Sequence, residues 1–227
     1  MADRDRPLLA VLIDADNVPA KYADAVLKEI SVIGEPALRR VYGDWSSGRL
    51  SNWSGKIREL GLVAHQESAN TVGKNASDIG LVIDAMDILH ARRFDGFVLV
   101  SSDSDFTALA NRLREDGLMV IGIGEKKAPE ALRNVCNRFI FIENIAGEAP
   151  KTKIDTSTPT QLIIQAMDRL GDEEWYNLGR VGQTITDAHT DFDTRTYGHA
   201  KLSALVADLP RFETRRDGNH LMIRRRD

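Results

Sequence analysis

The chain has 227 residues, of which 42% are hydrophobic and 28% charged. That balance excludes a disordered chain, and the length suits one or two domains with buried cores. No apolar run approaches the ~18 residues of a membrane span, the start Met1–Pro7 lacks the apolar core of a secretory signal, and a lone cysteine, Cys136, excludes an internal disulfide or a Cys-rich zinc site. A reducing, cytoplasmic setting is the expectation. Lys and Arg number 30 against 34 Asp and Glu, so the net charge is −4 and any basic surface for nucleic acid must be local.

Short apolar strands then alternate with helical patterns over the first part of the chain. Leu8–Ile13 is a continuous apolar run, the mark of a strand buried on both faces. Tyr22, Val26, Leu27 and Ile30 space a helix from Pro19. Leu38–Tyr42 is a second strand. Trp53, Ile57 and Leu60 space a second helix, and Leu62–His65 is a third strand. Ser77–His90 reads as a helix with one apolar face made of Ile79, Val82, Ile83, Met86 and Leu89. Phe97–Val100 is again a buried-type strand. Phe106, Leu109, Ala110 and Leu113 line the next helix, which Gly117 stops. Leu118–Ile123, a short helix at Pro129–Val135 and a strand at Phe139–Ile142 complete the series. The alternation predicts a parallel sheet with helices on both faces and strand order 3-2-1-4-5.

The composition changes after residue 146. Residues 147–157 are polar and read as a linker, which places one domain at 1–146 and another at 158–227. In the second, Leu162, Ile163, Ala166, Met167 and Leu170 make a helical stripe. Leu178, Val181 and Ile185, then Leu202, Leu205, Val206 and Leu209, make two more. Phe212–Arg216 and His220–Arg224 flank Asp217-Gly218-Asn219, a hairpin signal. Helices followed by a hairpin predict a small winged-helix-like unit.

The chemistry-bearing residues sit where strands end. Strand one runs into Asp14-Ala15-Asp16-Asn17, and strand four into Ser101-Ser102-Asp103-Ser104-Asp105. An open parallel sheet binds ligands beyond its carboxyl ends, where the strand order reverses. The predicted order places Asp14, Asp16, Asp103 and Asp105 around one crevice, joined by Asp78 from the first turn of a helix that Ser77 caps. Each carboxylate pair ~4 Å apart costs about 4 kcal/mol at an effective dielectric of ~20, which a divalent cation offsets. Hard oxygen ligands without Cys or His favour Mg²⁺ or Mn²⁺. Such a site suits metal-activated hydrolysis of a phosphodiester, with Asn17 and Ser101 or Ser102 orienting ligands. The bland reading of any one of these acids is a turn former or helix cap. Asp84 lies ~240° and Asp87 ~180° round the helix from Asp78, so both are expected to face solvent.

IDADN, GKNASD with the helix IGLVIDAMDIL, and VLVSSDSDF together resemble the NYN domain of the PIN-like metallonucleases, in particular its LabA-like branch, over about Leu8 to Ile145. The resemblance implies a PIN-like α/β fold with a Rossmannoid sheet and a divalent-metal-dependent ribonuclease. It implies catalytic roles for Asp14, Asn17, Asp78, Asp103 and Asp105, with Asp16 a further acid beside the metal. Ser102 stands where these proteins often carry Gly. A runner-up, the haloacid-dehalogenase-type phosphatases, shares Asp14-x-Asp16 but expects Thr where this chain has Val18.

Trp175–Gly182, Phe192-Asp193, Tyr197–Leu202 and Leu209–Phe212 resemble an OST-HTH (LOTUS) domain over about Thr158 to Arg226, which implies RNA or protein-partner binding. From Thr158 on there are 10 basic and 11 acidic residues, but from Arg211 on six Arg face three acids. Arg215, Arg216 and Arg224 on the hairpin, with Lys74, Lys126 and Lys127 in the first domain, are the expected RNA contacts. Arg49 shares that reading. Trp45 and Trp53 read as core residues, with stacking on a base as the alternative. The expected function is therefore an Mg²⁺- or Mn²⁺-dependent ribonuclease acting on single-stranded RNA, the alternative a non-catalytic RNA-binding adaptor.

Overall fold

The computed structural model describes residues 5–66, 76–147 and 157–226. Two compact units divide the chain, Met1–Ala146 and Gly147–Asp227. The expected linker lies mostly outside the described residues, as does Lys74.

In the first unit, the strands are β1 (Leu8–Asp14), β2 (Glu35–Gly43), β3 (Val63–Gln66), β4 (Gly96–Val100), β5 (Met119–Gly124) and β6 (Arg138–Phe141). All pair in parallel, in the order β3-β2-β1-β4-β5-β6. The helices are α1 (Ala23–Ile33), α2 (Ser51–Leu60), α3 (Ala76–His90), α4 (Thr107–Glu115), α5 (Glu130–Val135) and α6 (Ile142–Ile145). Strand β1 is buried on both faces because it lies mid-sheet. Its odd residues Leu9, Val11 and Ile13 pack with Val26 and Ile30 of α1 and Trp53 of α2. Its even residues Ala10 and Leu12 pack with Leu81 and Ala85 of α3 and with Leu109 and Leu113 of α4. The continuous apolar run seen in the sequence is thus two alternating half-runs, one for each helical layer.

Helix α3 differs from its predicted face. Ile79 and Ile83 are 62% and 59% exposed, while Leu81, Ala85, Ile88 and Leu89 are buried. The apolar residues of the helix span more than one face, and the sheet takes the one that carries Leu81, Ala85 and Ile88. Asp84 accordingly does not face solvent: it lies against β2, bonded to Arg40 and Tyr42. The last strand stops one residue early, at Phe141, where α6 begins.

The second unit holds α7 (Ser157–Leu170), β7 (Tyr176–Asn177), α8 (Leu178–Ala188), α9 (Leu202–Ala207), β8 (Phe212–Asp217) and β9 (His220–Arg225). Ile163, Met167, Val181, Ile185, Leu205, Val206, Phe212 and Ile223 form its core. The hairpin β8–β9 is antiparallel and turns through Gly218, at φ +56°, a left-handed value that suits glycine. The two-residue strand β7, which no periodicity announces, pairs with β9 and completes a three-stranded sheet. Asn177 ends β7 and caps α8, accepting from the N–H groups of Gly179 and Arg180 at 2.9 and 3.2 Å. Among the described residues no helix is long and apolar enough to cross a membrane.

Candidate active site

The sheet reverses direction of growth at β1, which has β2 on one side and β4 on the other. Asp14 is the last residue of β1 and is 1% exposed. Strand alternation puts it on the α3 side with Ala10 and Leu12. Its Oδ2 accepts from Asn17 Nδ2 at 2.7 Å and from Ser101 Oγ at 2.8 Å. Its Oδ1 accepts two longer bonds, 3.2 Å each, from the backbone N–H groups of Asp16 and Asn17. These four donors are all neutral. Burial pushes the Asp14 carboxyl above its ordinary range, against the lowering effect of the Asn17 and Ser101 bonds.

Ser101 joins the two strand ends. Its Oγ donates to Asp14 and accepts the N–H of Asp103 at 3.1 Å. Ser102, the departure from glycine, is buried and accepts the N–H of Glu125 at 2.8 Å, tying β4 to the end of β5. The two strands run so close there that a Cβ on Gly124 would sit 2.5 Å from the Ser101 carbonyl oxygen. Asp103 caps the 3-10 turn Ser104–Phe106, accepting from Asp105 N at 3.0 Å. Asp103 is half-buried, and Asp105 and Asp16 are exposed. The Asp16 carboxylate leans over Gly43 at the end of β2, with Oδ2 3.7 Å from where a Cβ would stand.

Asp14 and the Asp103 backbone therefore meet through one hydroxyl. Among the described residues, no three carboxylates, imidazoles or thiols converge into a ready-made metal cage. Asp78 stands in the first turn of α3, but its side chain lies outside those described.

Beside this site opens a cavity of about 660 Å³, lined by Asp16, Asn17, Lys21, Arg49, Asn52, Lys56, Glu125 and Lys127 among others. Four cations face two carboxylates around it, so it is locally basic in an acidic chain. Lys56 also pairs with Asp24 at 2.6 Å and Glu59 at 2.9 Å, and Lys127 with Glu125 at 2.5 Å. Lys21 and Lys56 went unread in the sequence because each is a solitary lysine on a helical segment. Only the fold brings them together with Arg49 and Lys127. Lys126 is exposed and does not line this cavity; its backbone N–H donates to the Glu143 carboxylate at 2.9 Å. Trp53 is core, 2% exposed, with Nε1 donating to Val18 O at 3.2 Å. Trp45 is half-buried and donates Nε1 to His65 O at 2.7 Å.

Residues 8–143, more than half of the chain, match the NYN-domain family. The protein belongs to the NYN family. Residues 152–223 match the OST-HTH/LOTUS domain. A solved structure from Vibrio parahaemolyticus RIMD 2210633, titled a protein of unknown function, is 20% identical with a TM-score of 0.51. The match covers 61% of this chain and 94% of that one, so the likeness is one of fold. No curated protein matches. NYN is a nuclease-type domain and OST-HTH an RNA-binding one, and this NYN protein carries both.

In its OST-HTH domain the hairpin arginines are mostly engaged. Arg224 pairs with Glu213, and with Glu174 at 2.9 Å, while its guanidinium lies 4.7 Å from the Trp175 ring centroid. Arg215 lies 4.1 Å from the same centroid. Arg225 pairs with Asp168 and donates to the Ile164 carbonyl at 3.0 Å. Arg216 is exposed on β8.

Proposed function

We propose that this NYN protein is a divalent-cation-dependent ribonuclease whose OST-HTH domain holds RNA. The observation that carries the reading is Asp14, a carboxylate buried at the switch point of the sheet and held, among the described residues, by neutral donors, beside a basic groove. A buried anion without a counter-charge is costly, and a cation relieves that cost. The donor chemistry fits a hard ion: every candidate ligand is an oxygen. Asp14, Asp78 and Asp103 would hold Mg²⁺ or Mn²⁺, with Asp16 and Asp105 as further acids nearby. Oδ1 of Asp14 is the oxygen to offer, because its two present bonds are the long ones. Bound there, the ion supplies a polarised phosphodiester and an activated water.

The chain's own residues do the rest. Asn17 and Ser101 fix the Asp14 carboxylate so that it need not reorganise. Arg49, Lys21, Lys56 and Lys127 meet the phosphates of one strand of RNA in the groove. Hydrolysis leaves 5′-phosphate and 3′-hydroxyl ends. The OST-HTH domain adds RNA affinity through Arg215 and Arg216, or brings in a protein partner, and the setting is cytoplasmic.

Labelled single-stranded RNA incubated with Mn²⁺ should be cut by the wild type, and not by Asp103→Asn or in the presence of chelator. Equal cleavage by wild type and variant would remove the catalytic assignment. RNA binding that is unaffected by cation, with no cleavage, would favour a non-catalytic adaptor.

A further inference from the structure

Away from the groove, a polar cluster ties α3 to the sheet. Asp84 offers Oδ1 to Arg40 Nη1 and Oδ2 to the Tyr42 hydroxyl, with His65 Nδ1 4.0 Å from Oδ2. Tyr42 is fully buried, and the His65 ring centroid lies 5.2 Å from its own. Arg40 and Tyr42 are two apart on β2, so they share a face about 6.6 Å apart along the strand. One carboxylate thus grips two successive positions of β2. Such a grip resists both sliding and rolling of the helix.

The register connects this grip to the active site. Tyr42 is the parallel partner of Asp14 on β1, and His65 of β3 is the partner of Tyr42. Asp14, Tyr42 and His65 therefore form one row across the carboxyl end of the sheet. Helix α3 begins at that end and packs on β1 and β2. At ~100° per residue, positions 78 and 84 stand about 60° to either side of buried Leu81. They are about 9 Å apart along the axis. Position 84 takes the flank toward β2, and position 78 takes the other flank, about one and two-thirds turns nearer the helix start. Rolling the helix to lose one placement loses the other.

We propose that Asp84 is a positioning residue for the cation site. Its clamp on Arg40 and Tyr42 sets the roll and height of α3, and so delivers the start of that helix to Asp14. The inference rests on the ribonuclease reading for the cation, and on the Asp84 contacts for the clamp. Solvation of a surface acid does not account for those contacts: two donors from one strand converge on a single carboxylate whose side chain is 19% exposed.

The test is Mn²⁺ titration of the full chain by calorimetry, beside thermal unfolding in chelator. Asp84→Asn should weaken Mn²⁺ binding about tenfold or more, the usual size for loss of a group that orients metal ligands. Tyr42→Phe keeps the ring packing and should fall between the wild type and Asp84→Asn. Ile83→Ser, on the exposed face, should leave Mn²⁺ affinity alone. A purely structural clamp would lower the unfolding temperature without moving the affinity of the folded protein, and that result overturns the proposal. If Asp84→Asn fails to fold, Tyr42→Phe decides by itself, because unchanged affinity there is equally fatal. A wild type that takes up no Mn²⁺ overturns the ribonuclease reading as well. Uptake by the wild type with unchanged variants overturns the clamp alone.

Discussion

Pairs of opposite charge occur in both units, Arg40 with Asp84 in the first among them, but one NYN carboxylate is held differently. In the OST-HTH domain, arginine meets carboxylate: Arg224 has Glu213 and Glu174, Arg225 has Asp168, and Arg195 has Asp193 at 2.6 Å. Among the described residues of the NYN domain, the buried carboxylate of Asp14 meets hydroxyl, amide and backbone N–H donors and no cation. A paired charge presents little field beyond its partner, and on a surface it adds little stability. A charge held by dipoles keeps its field and stays available to an incoming ion. The difference teaches where to look for chemistry. A carboxylate held without a counter-ion is the place to test for a bound cation.

The largest effect should come from removing the unmatched charge. Asp14→Asn keeps the size of the side chain but turns an amide toward four donors. Cleavage of labelled RNA in Mn²⁺ should fall on the order of a thousandfold, a loss of several kcal/mol of transition-state stabilisation. Retained activity would break the comparison at its centre. Next come the groove cations. Arg49→Gln with Lys21→Gln should weaken RNA binding and flatten its salt dependence. The slope of log affinity against log salt should fall by about 1.4, from about 0.7 for each phosphate contact on a single strand. A slope equal to the wild type would exclude the groove as the RNA path.

A smaller effect sharpens the contrast from the other side. Arg224→Gln should cost stability of about 0.5–1 kcal/mol in thermal unfolding, the scale of a solvent-facing pair. RNA affinity should hardly move, since that guanidinium is already matched. Arg216→Gln should do the reverse, lowering RNA affinity at constant unfolding temperature. If Arg224→Gln is the variant that loses RNA, the matched arginines are part of the binding surface after all.

Most of the fold was legible because its signals are local. Continuous apolar runs such as Leu8–Ile13 and Phe97–Val100 need burial on two faces, which only a central parallel strand supplies. Of the two carboxylate doublets, the sequence disclosed position but not role. Asp14 proves to be the buried member, and Asp103 caps a turn. The misread parts depend on rotation and distance. The helical wheel expects Asp84 in solvent because 240° round a helix reads as the far side, yet it is also 120° the other way. Two positions 120° apart flank one buried stripe, here Leu81 and Ala85. The basic groove was half seen for a related reason. Lys21, Arg49, Lys56 and Lys127 are spread along the chain, and their convergence is a property of the sheet's carboxyl end, not of any window of sequence.

The slightest effect, and the one that isolates Asp14 electrostatically, is on pH. Burial raises its carboxyl above the unfolded value of 3.8, so the native protein binds that proton more tightly than the unfolded chain does. Below 3.8 both states hold the proton, and the contribution to stability is fully present. As pH rises the unfolded chain ionises first and gains, and the contribution is lost as pH climbs through the raised native value. Metal-free wild type should therefore lose stability over that window relative to Asp14→Asn, which has no proton there to release. The difference between the two removes every other titrating group from the comparison. Unfolding temperatures between pH 4 and 7 in chelator measure it, and repeating the series in Mn²⁺ should reduce the wild-type loss, because a bound cation favours the ionised form. A difference that is flat, or that favours the wild type as pH rises, would mean that the four neutral donors already satisfy the carboxylate and leave a cation nothing to relieve.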